Sequence, residues 1–316
     1  MLVTRRGSEL ARRAGAAGVP IRAVPWGPSL DPRALWHLCR AVATFRPDVL
    51  HAHDSHALQL AHWARRLAGG KAGAAALVAT RRVDFHVRPG SVWLRADRVI
   101  AISEAVKRIL VSDGVPAARI TVVWSGIDAD EVRQAAARPL DIRARLGLAS
   151  RTPLAVNVAA LVDHKDHGTL LGAAGAARDA RPDLHWAIAG EGELRRDLAA
   201  EIGRLGLADR VHLLGHIADP DALIREADVF VMSSKQEGLG SVVLHALALG
   251  TPVVATRGGG LPEMVPEEWL VPVGDPKALA RKVLAALDHP SRMPLPAQFT
   301  AALMARRVSA LYRSLI

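Results

Sequence analysis

The stretch Glu237-Gly238-Leu239-Gly240-Ser241-Val242-Val243-Leu244-His245-Ala246-Leu247-Ala248-Leu249-Gly250-Thr251-Pro252-Val253-Val254-Ala255-Thr256 decides how this chain is read. The apolar run at 229–232 predicts a strand. It enters a glycine-spaced loop, and the loop opens an apolar helix over 241–249. Bare amides at a helix start attract anions, and glycine lets a phosphate approach the backbone. Glu237, just ahead of the loop, is placed to accept hydrogen bonds from hydroxyls. Gly250 stops the helix and Pro252 restarts a buried strand over 252–255. One Gly-x-Gly corner alone reads equally as an ordinary strand-to-helix connection. A second glycine-rich loop, Thr256-Arg257-Gly258-Gly259-Gly260-Leu261-Pro262-Glu263, follows the next strand and changes that balance.

Outward from this stretch the chain alternates short apolar runs with alanine-rich helical stretches. In the C-terminal half, strands are predicted at 154–158, 184–189 and 211–214, with helices at 168–178, 193–205, 220–226, 277–287 and 299–315. In the N-terminal half, strands are predicted at 47–52, 74–80, 98–102 and 120–123, with a helix at 32–44 and another opening after Ser103 as its N-cap. A polar connection over 128–152 separates the halves. Strands alternating with helices imply parallel sheets built from βαβ crossovers. The length of 316 residues fits two such domains.

Composition bounds the function. Half of the residues are apolar, which excludes wholesale disorder. The single cysteine, Cys39, excludes a disulfide scaffold and a cysteine metal cluster, and fits a reducing compartment. No run of about 18 apolar residues marks a membrane span, and residues 1–13 lack the apolar core of a signal peptide. The expected address is the cytoplasm. Lys and Arg number 41 against 31 Asp and Glu, a net charge of +10 that favours anionic partners or an anionic membrane face. Aromatic residues make up only 4%, too few for base-stacking platforms, so nucleic acid is set aside.

Taken together, the two glycine-rich loops resemble the signature of the family 4 glycosyltransferases, retaining enzymes of GT-B fold. Glu237, Gly238, Gly240, Gly250, Thr251, Pro252, Val253, Val254, Ala255, Gly259 and Glu263 stand in register with it. The resemblance extends along the chain. Ala189-Gly190-Glu191-Gly192 is similar to the family's Gly-x-Gly turn, and Leu213-Leu214-Gly215-His216 to the strand end that holds the nucleotide base. Residues 48–54 and 122–128 are similar to an N-domain strand and to the entry of the linker.

The resemblance implies two Rossmann-like domains facing each other across a cleft. It gives residues 1–134 to the acceptor side and 150–295 to the nucleotide sugar, with 296–316 returning as a helix to the N-terminal domain. It implies transfer of a hexose-type sugar from a nucleotide-diphosphate donor, with retention and without a metal or other cofactor, in the manner of cell-surface polysaccharide biosynthesis. Glu237 would hold donor-sugar hydroxyls and Lys165 the diphosphate. Gly190, Gly215, His216, Ile217, Gly238, Leu239, Gly240, Ser241, His245 and Glu263 would complete the donor site. Cations and amides aimed at a leaving diphosphate stabilise the charge that develops there. On the acceptor side stand His53, Asp54, Arg81 and Arg82. The acceptor would be a saccharide, a lipid-linked molecule or a small molecule.

Four departures from the pattern set up alternatives. His245 replaces a glutamate that takes the ribose hydroxyls; it reads either as a substitute ligand or as a helix-face histidine without ligand contact. Val158-Ala159-Ala160-Leu161 lacks the family's phosphate arginine. Arg81 and Arg82 stand where many members carry a histidine, and read equally as an anion site or a surface pair. The opening Leu2-Val3-Thr4 resembles the family's second strand, so the N-terminal domain reads as truncated by one β–α unit. That predicts either that Leu2–Thr4 shifts to close the gap or that a second copy covers the exposed edge. Among the histidines near Asp54, His51 and His53 are read as facing opposite sides of a strand, and a metal is not expected. A catalytically impaired protein that binds a nucleotide or a partner is the alternative function, ahead of a nucleotide-sugar epimerase.

Overall fold

The computed structural model describes residues 1–27, 31–88 and 90–316, with the side chains of residues 71 and 72 left aside. Its elements, in chain order, are β1 (Leu2–Arg5), α1 (Glu9–Ala16), β2 (Ile21–Val24), α2 (Pro32–Phe45), β3 (Val49–Ala52), α3 (Ser55–Ala68), α4 (Gly70–Gly73), β4 (Ala76–Arg81), β5 (Arg98–Ala101), α5 (Glu104–Ser112) and β6 (Ile120–Val122). There follow α6 (Ala129–Ala135), α7 (Ile142–Arg145), β7 (Leu154–Val158), α8 (His167–Ala177), β8 (His185–Ala189), α9 (Arg195–Arg204) and β9 (Val211–Gly215). The chain ends with α10 (Pro220–Arg225), β10 (Val229–Met232), α11 (Ser241–Leu249), β11 (Val253–Thr256), β12 (Leu270–Val271), α12 (Pro276–Asp288) and α13 (Ala301–Arg313). Every strand pairing is parallel, as the alternation of strands and helices requires.

Two compact units result. The first comprises Met1–Ile102, Val106–Val123 and Arg307–Ile316; the second comprises Ser103–Ala105 and Trp124–Arg306. The division therefore falls at 123/124 rather than at 134. The connection at 128–152 belongs to the second unit, and only the last turns of α13 join the first.

In the second unit six strands lie in the order β12-β11-β10-β7-β8-β9. The chain enters at β7, runs outward to β9, then returns beside β7 as β10. The order reverses between β7 and β10, and loops that diverge at such a point leave a crevice beyond the strand carboxyl ends. The apolar runs fill a core of Leu170, Trp186, Val229, Val231, Val254, Leu279 and Val283. Asn157 interrupts this core. Its Nδ2 donates to the Val231 carbonyl at 2.8 Å and so ties β7 to β10 just below the reversal.

In the first unit β3-β4-β5-β6 form one sheet, and β1-β2 form a separate two-stranded sheet. Among the described residues Leu2–Arg5 pairs with Ile21–Val24 alone, so the expected closure of Leu2–Thr4 onto further strands is not made. Instead α2 and α3 pack together through Ala34, Leu38, Val42, Leu60 and Ala64, with Val3 and Leu50 against them. Asp31 and Asp54 cap these helices by accepting the amides of Arg33 and Ala57. Among the described residues no helix is long and apolar enough to cross a membrane.

Candidate active site

The loop after β7 turns through Asp163–Lys165, and Asp166 ends that turn while capping α8. The loop after β10 runs from Ser233 to Gly240. The two loops are laced together across the reversal. Ser233 Oγ donates to the Lys165 carbonyl at 2.9 Å, and the Lys235 amide donates to the His164 carbonyl at 2.9 Å. Lys165 Nζ and Glu237 Oε2 form an ion pair, both side chains largely buried. Ser234 Oγ adds a long contact to the same carboxylate oxygen at 3.4 Å. The two residues expected to meet different parts of a donor therefore meet each other.

Gly240 is the N-cap of α11 and, at φ +88°, lies in the left-handed region that favours glycine. It offers no side chain, so the first turn of α11 carries no side-chain cap. Amides without a protein partner, a cation and a carboxylate at one strand end can bind both the charged and the hydroxylated parts of a ligand. Gly259 holds the adjoining loop in place. A Cβ there would lie 2.0 Å from the Glu237 carbonyl oxygen, and φ is +53°. The Gly260 amide donates to that carbonyl at 2.8 Å.

The remaining donor-side residues divide. Gly190 and Gly215 are joined backbone to backbone, Gly190 N–H to Gly215 O at 2.8 Å, at the carboxyl ends of β8 and β9. His216 is exposed, Ile217 half-buried and Ser241 exposed, whereas Gly238 and Leu239 are buried. Glu263 is committed elsewhere. It accepts the amides of Glu104 and Ala105 at 3.0 Å each and Trp124 Nε1 at 2.7 Å, all within the second unit. Ser103, expected as a cap, donates its hydroxyl to the Gly238 carbonyl at 2.5 Å. Glu263 thus takes the first two amides of α5, while the Ser103 hydroxyl holds the glycine loop at Gly238.

His245 pairs with a residue that sequence reasoning missed. Its Nδ1 lies 2.6 Å from Asp221 Oδ1 in the first turn of α10. With a neutral ring, that carboxylate holds the proton on Nδ1 and leaves Nε2 as an acceptor. No sequence spacing links residues 221 and 245; only the packing of α10 on α11 brings them together.

In the first unit, Asp54 caps α3 and Arg81 Nη2 donates to the Phe85 carbonyl at 2.5 Å, with its guanidinium over Trp93. Burial pushes the Arg81 pKa down. Both residues are thus engaged locally. Arg82 and His53 are exposed. His51 and His53 do not face opposite sides: their ring centroids are 4.2 Å apart, since residues two apart on a strand return to one face. His51 bonds Thr80 Oγ1 at 2.7 Å and the Tyr312 hydroxyl, and burial, aided by His53, lowers its pKa to about 3. Among the described residues no three His, Cys, Asp or Glu gather as a metal site.

Comparison with known proteins gives the family and the fold. The Glycosyl transferases group 1 family matches residues 140–302, and Glycosyltransferase Family 4 matches residues 1–131. The chain belongs to the group 1 glycosyltransferases, with an N-terminal part of the family 4 type. It is 32% identical to D-inositol 3-phosphate glycosyltransferase of Mycolicibacterium gilvum, covering 87% of this chain and 72% of that one. It is 30% identical to an Escherichia coli glycosyltransferase named for colanic acid biosynthesis, over 78% of this chain but only 64% of that relative's length. Among solved structures, Anabaena Alr3699/HepE in complex with UDP superposes with a TM-score of 0.80 at 20% identity, over 99% of this chain and 91% of that chain. Sucrose-phosphate synthase from Thermosynechococcus elongatus gives 0.72 at 23% identity, over 95% and 84%. These likenesses establish the GT-B fold.

Proposed function

We propose that the protein transfers a hexose-type sugar from a nucleotide-diphosphate donor to an acceptor, with retention at the anomeric carbon and without a metal. The observation that carries this reading is the Lys165–Glu237 pair across the β7/β10 reversal, beside the uncapped start of α11. In the proposed reaction the bond between anomeric carbon and diphosphate breaks, and the acceptor oxygen bonds to that carbon on the face the diphosphate leaves. The acceptor proton passes to the departing phosphate oxygen. Lys165 and the amides of Leu239, Gly240 and Ser241 neutralise the charge growing on the diphosphate. Glu237 accepts hydrogen bonds from the sugar hydroxyls. Gly190, Gly215, His216 and Ile217 take the base end of the nucleotide, and His245 accepts a ribose hydroxyl through Nε2.

We place acceptor recognition on the first unit, at the carboxyl ends of β3 and β4, with Arg82 and His53 as its exposed polar groups and Asp54 and Arg81 as their framework. Saccharide, lipid-linked and small-molecule acceptors all fit that assignment. The relatives' names support a hydroxylated acceptor, one being an inositol phosphate glycosyltransferase. A cytoplasmic setting is supported by the single cysteine. Proton NMR of the first-formed product tests retention: the anomeric coupling should match that of the donor, and an inverted coupling contradicts it.

Two observations favour the second reading, an impaired protein that binds a nucleotide or partner without transfer. His245 is committed to Asp221, and Ala160 stands where the family carries a phosphate arginine. Donor binding without release of nucleoside diphosphate in the presence of mixed acceptors would establish that reading.

A further inference from the structure

The direction of the Leu239 amide is set by residues far from it in sequence. Leu239 is 1% exposed, and among the described residues no protein group accepts its N–H. A buried amide without an acceptor costs stability unless a ligand or water takes it. The carbonyl of the same peptide unit, that of Gly238, is by contrast firmly held. Ser103 Oγ donates to it at 2.5 Å, and Ser103 is fully buried. Among the described residues every peptide bond is trans. The carbonyl and the N–H of such a unit point in opposite directions. A hydroxyl that fixes the Gly238 carbonyl therefore fixes the Leu239 N–H as well, turned away from Ser103. Glycine on one side of this peptide makes the hold necessary, because its backbone rotates against little steric resistance.

Ser103 is held in turn. Ser103, Glu104 and Ala105 belong to the second unit, as does the glycine loop. The amides of Glu104 and Ala105 each donate to one oxygen of the Glu263 carboxylate at 3.0 Å, and Trp124 Nε1 adds a third bond at 2.7 Å. Glu263 follows the loop 258–260, whose Gly260 amide donates to the Glu237 carbonyl at 2.8 Å. A Cβ on Gly260 would lie 2.7 Å from the Gly238 carbonyl oxygen, so glycine there leaves that oxygen open to Ser103. The carbonyls of Glu237 and Gly238 are thus tied down one after the other, the first by Gly260 and the second by Ser103, and Glu263 closes the circuit between the two ties.

We infer that Ser103 is a positioning residue for donor binding. Its hydroxyl, held in place by Glu263, turns the Gly238–Leu239 peptide so that the Leu239 N–H meets the diphosphate of the donor. The inference rests on the donor reading proposed above and adds to it the two side chains that aim one of its amides. In this role neither side chain contacts the donor itself.

Calorimetry of the full chain with uridine, guanosine and adenosine diphosphate, and with the matching nucleosides, tests it. Ser103→Ala should weaken the diphosphate that binds about tenfold, the weight of a hydrogen bond to a charged group, and leave its nucleoside unchanged. Ser103→Cys, close in size and a weak donor, should fall between. Glu263→Gln sets an amide group against amide donors and should reproduce the loss. The double variant Ser103→Ala with Glu263→Gln should bind no more weakly than the worse single variant, because both act through one peptide. In nuclear magnetic resonance with isotope-labelled leucine, the Leu239 amide signal is identified by its loss in Leu239→Met. It should move when the diphosphate is added to the unaltered chain, and about half as far or less in Ser103→Ala. Far-ultraviolet melting curves check folding; should Ser103→Ala not fold, Ser103→Cys and the signal of the unaltered chain decide. Folded serine variants that bind the diphosphate as the unaltered chain does overturn the inference and leave the donor reading standing. So do equal losses of diphosphate and nucleoside, or a Leu239 signal of the unaltered chain that ignores the ligand. If the unaltered chain binds none of the three diphosphates, the donor reading fails and the inference fails with it.

Discussion

Lys165 and Glu237 sit on loops that follow β7 and β10, 72 residues apart in sequence, and their side chains close an ion pair over the point where the strand order reverses. The pair is largely shielded from water, and Ser234 Oγ reaches the same carboxylate oxygen at 3.4 Å. A ligand with a diphosphate for the lysine and hydroxyls for the carboxylate replaces both interactions at once. Under the proposed function, the pair keeps two donor-binding groups in place before the donor arrives.

Loss of either partner leaves the other charge half-buried. Glu237→Ala and Lys165→Ala should each lower turnover about tenfold to a hundredfold, the weight of a charged hydrogen bond. The double variant should fall well short of the product of the two losses, because the residues act as a unit. Steady-state kinetics on the three variants checks this, and additive losses would separate the residues.

Gly259→Ala should be far more damaging than its size suggests. The new Cβ meets the Glu237 carbonyl, backbone against backbone, in a left-handed conformation. A loss of at least about 2 kcal/mol in stability or local collapse of the loop is expected. Denaturant melts and donor binding measured together should both suffer, whereas Gly175→Ala, with open space around it, should leave both intact.

Much of this was legible in the sequence. The βα alternation located the strands of the second sheet, because each apolar run is bounded by a loop and buried on both faces. The glycine loops marked α11 and its uncapped start. The short pieces β1, β2 and β12 were less visible: they are edge strands of two to four residues, with little hydrophobic pattern to read. Asp221, Trp124 and Tyr312 were not legible as partners of His245, Glu263 and His51. Each contact joins residues at least 24 positions apart, and side-chain pairing across helices leaves no periodic trace.

The Asp221–His245 pair gives a sharper test of the nucleotide end. Asp221→Ala releases the imidazole and its tautomer. Binding of a nucleoside diphosphate should weaken about fivefold to tenfold, the weight of one neutral hydrogen bond, with little change in melting temperature. The same substitution should not alter binding of inorganic diphosphate. Equal weakening of both ligands in calorimetry would remove His245 from the nucleotide.

Acid should destabilise the fold through two buried histidines. Burial lowers His51 to about 3, and burial with the nearby Lys165 lowers His167 to about 4, against an ordinary 6.5. Between those values and about 6.5 the unfolded chain binds more protons than the folded one, so stability is full above 6.5 and declines as pH falls. Among the described residues His167 has no hydrogen-bond partner at either ring nitrogen. His167→Leu should therefore flatten the decline in melting temperature between pH 6.5 and 4, and an unchanged slope would count against the assignment.

The most direct measurement is calorimetric titration of the full chain with uridine, guanosine and adenosine diphosphate sugars, alongside the corresponding nucleosides. At least one nucleotide sugar should bind. Lys165→Ala should weaken that binding about tenfold or more while affecting the nucleoside little, since an ammonium acts on phosphate as a point charge. If no nucleotide sugar binds, or if Lys165→Ala and Glu237→Ala bind it as the unaltered chain does, the pair across the β7/β10 reversal is not the donor site.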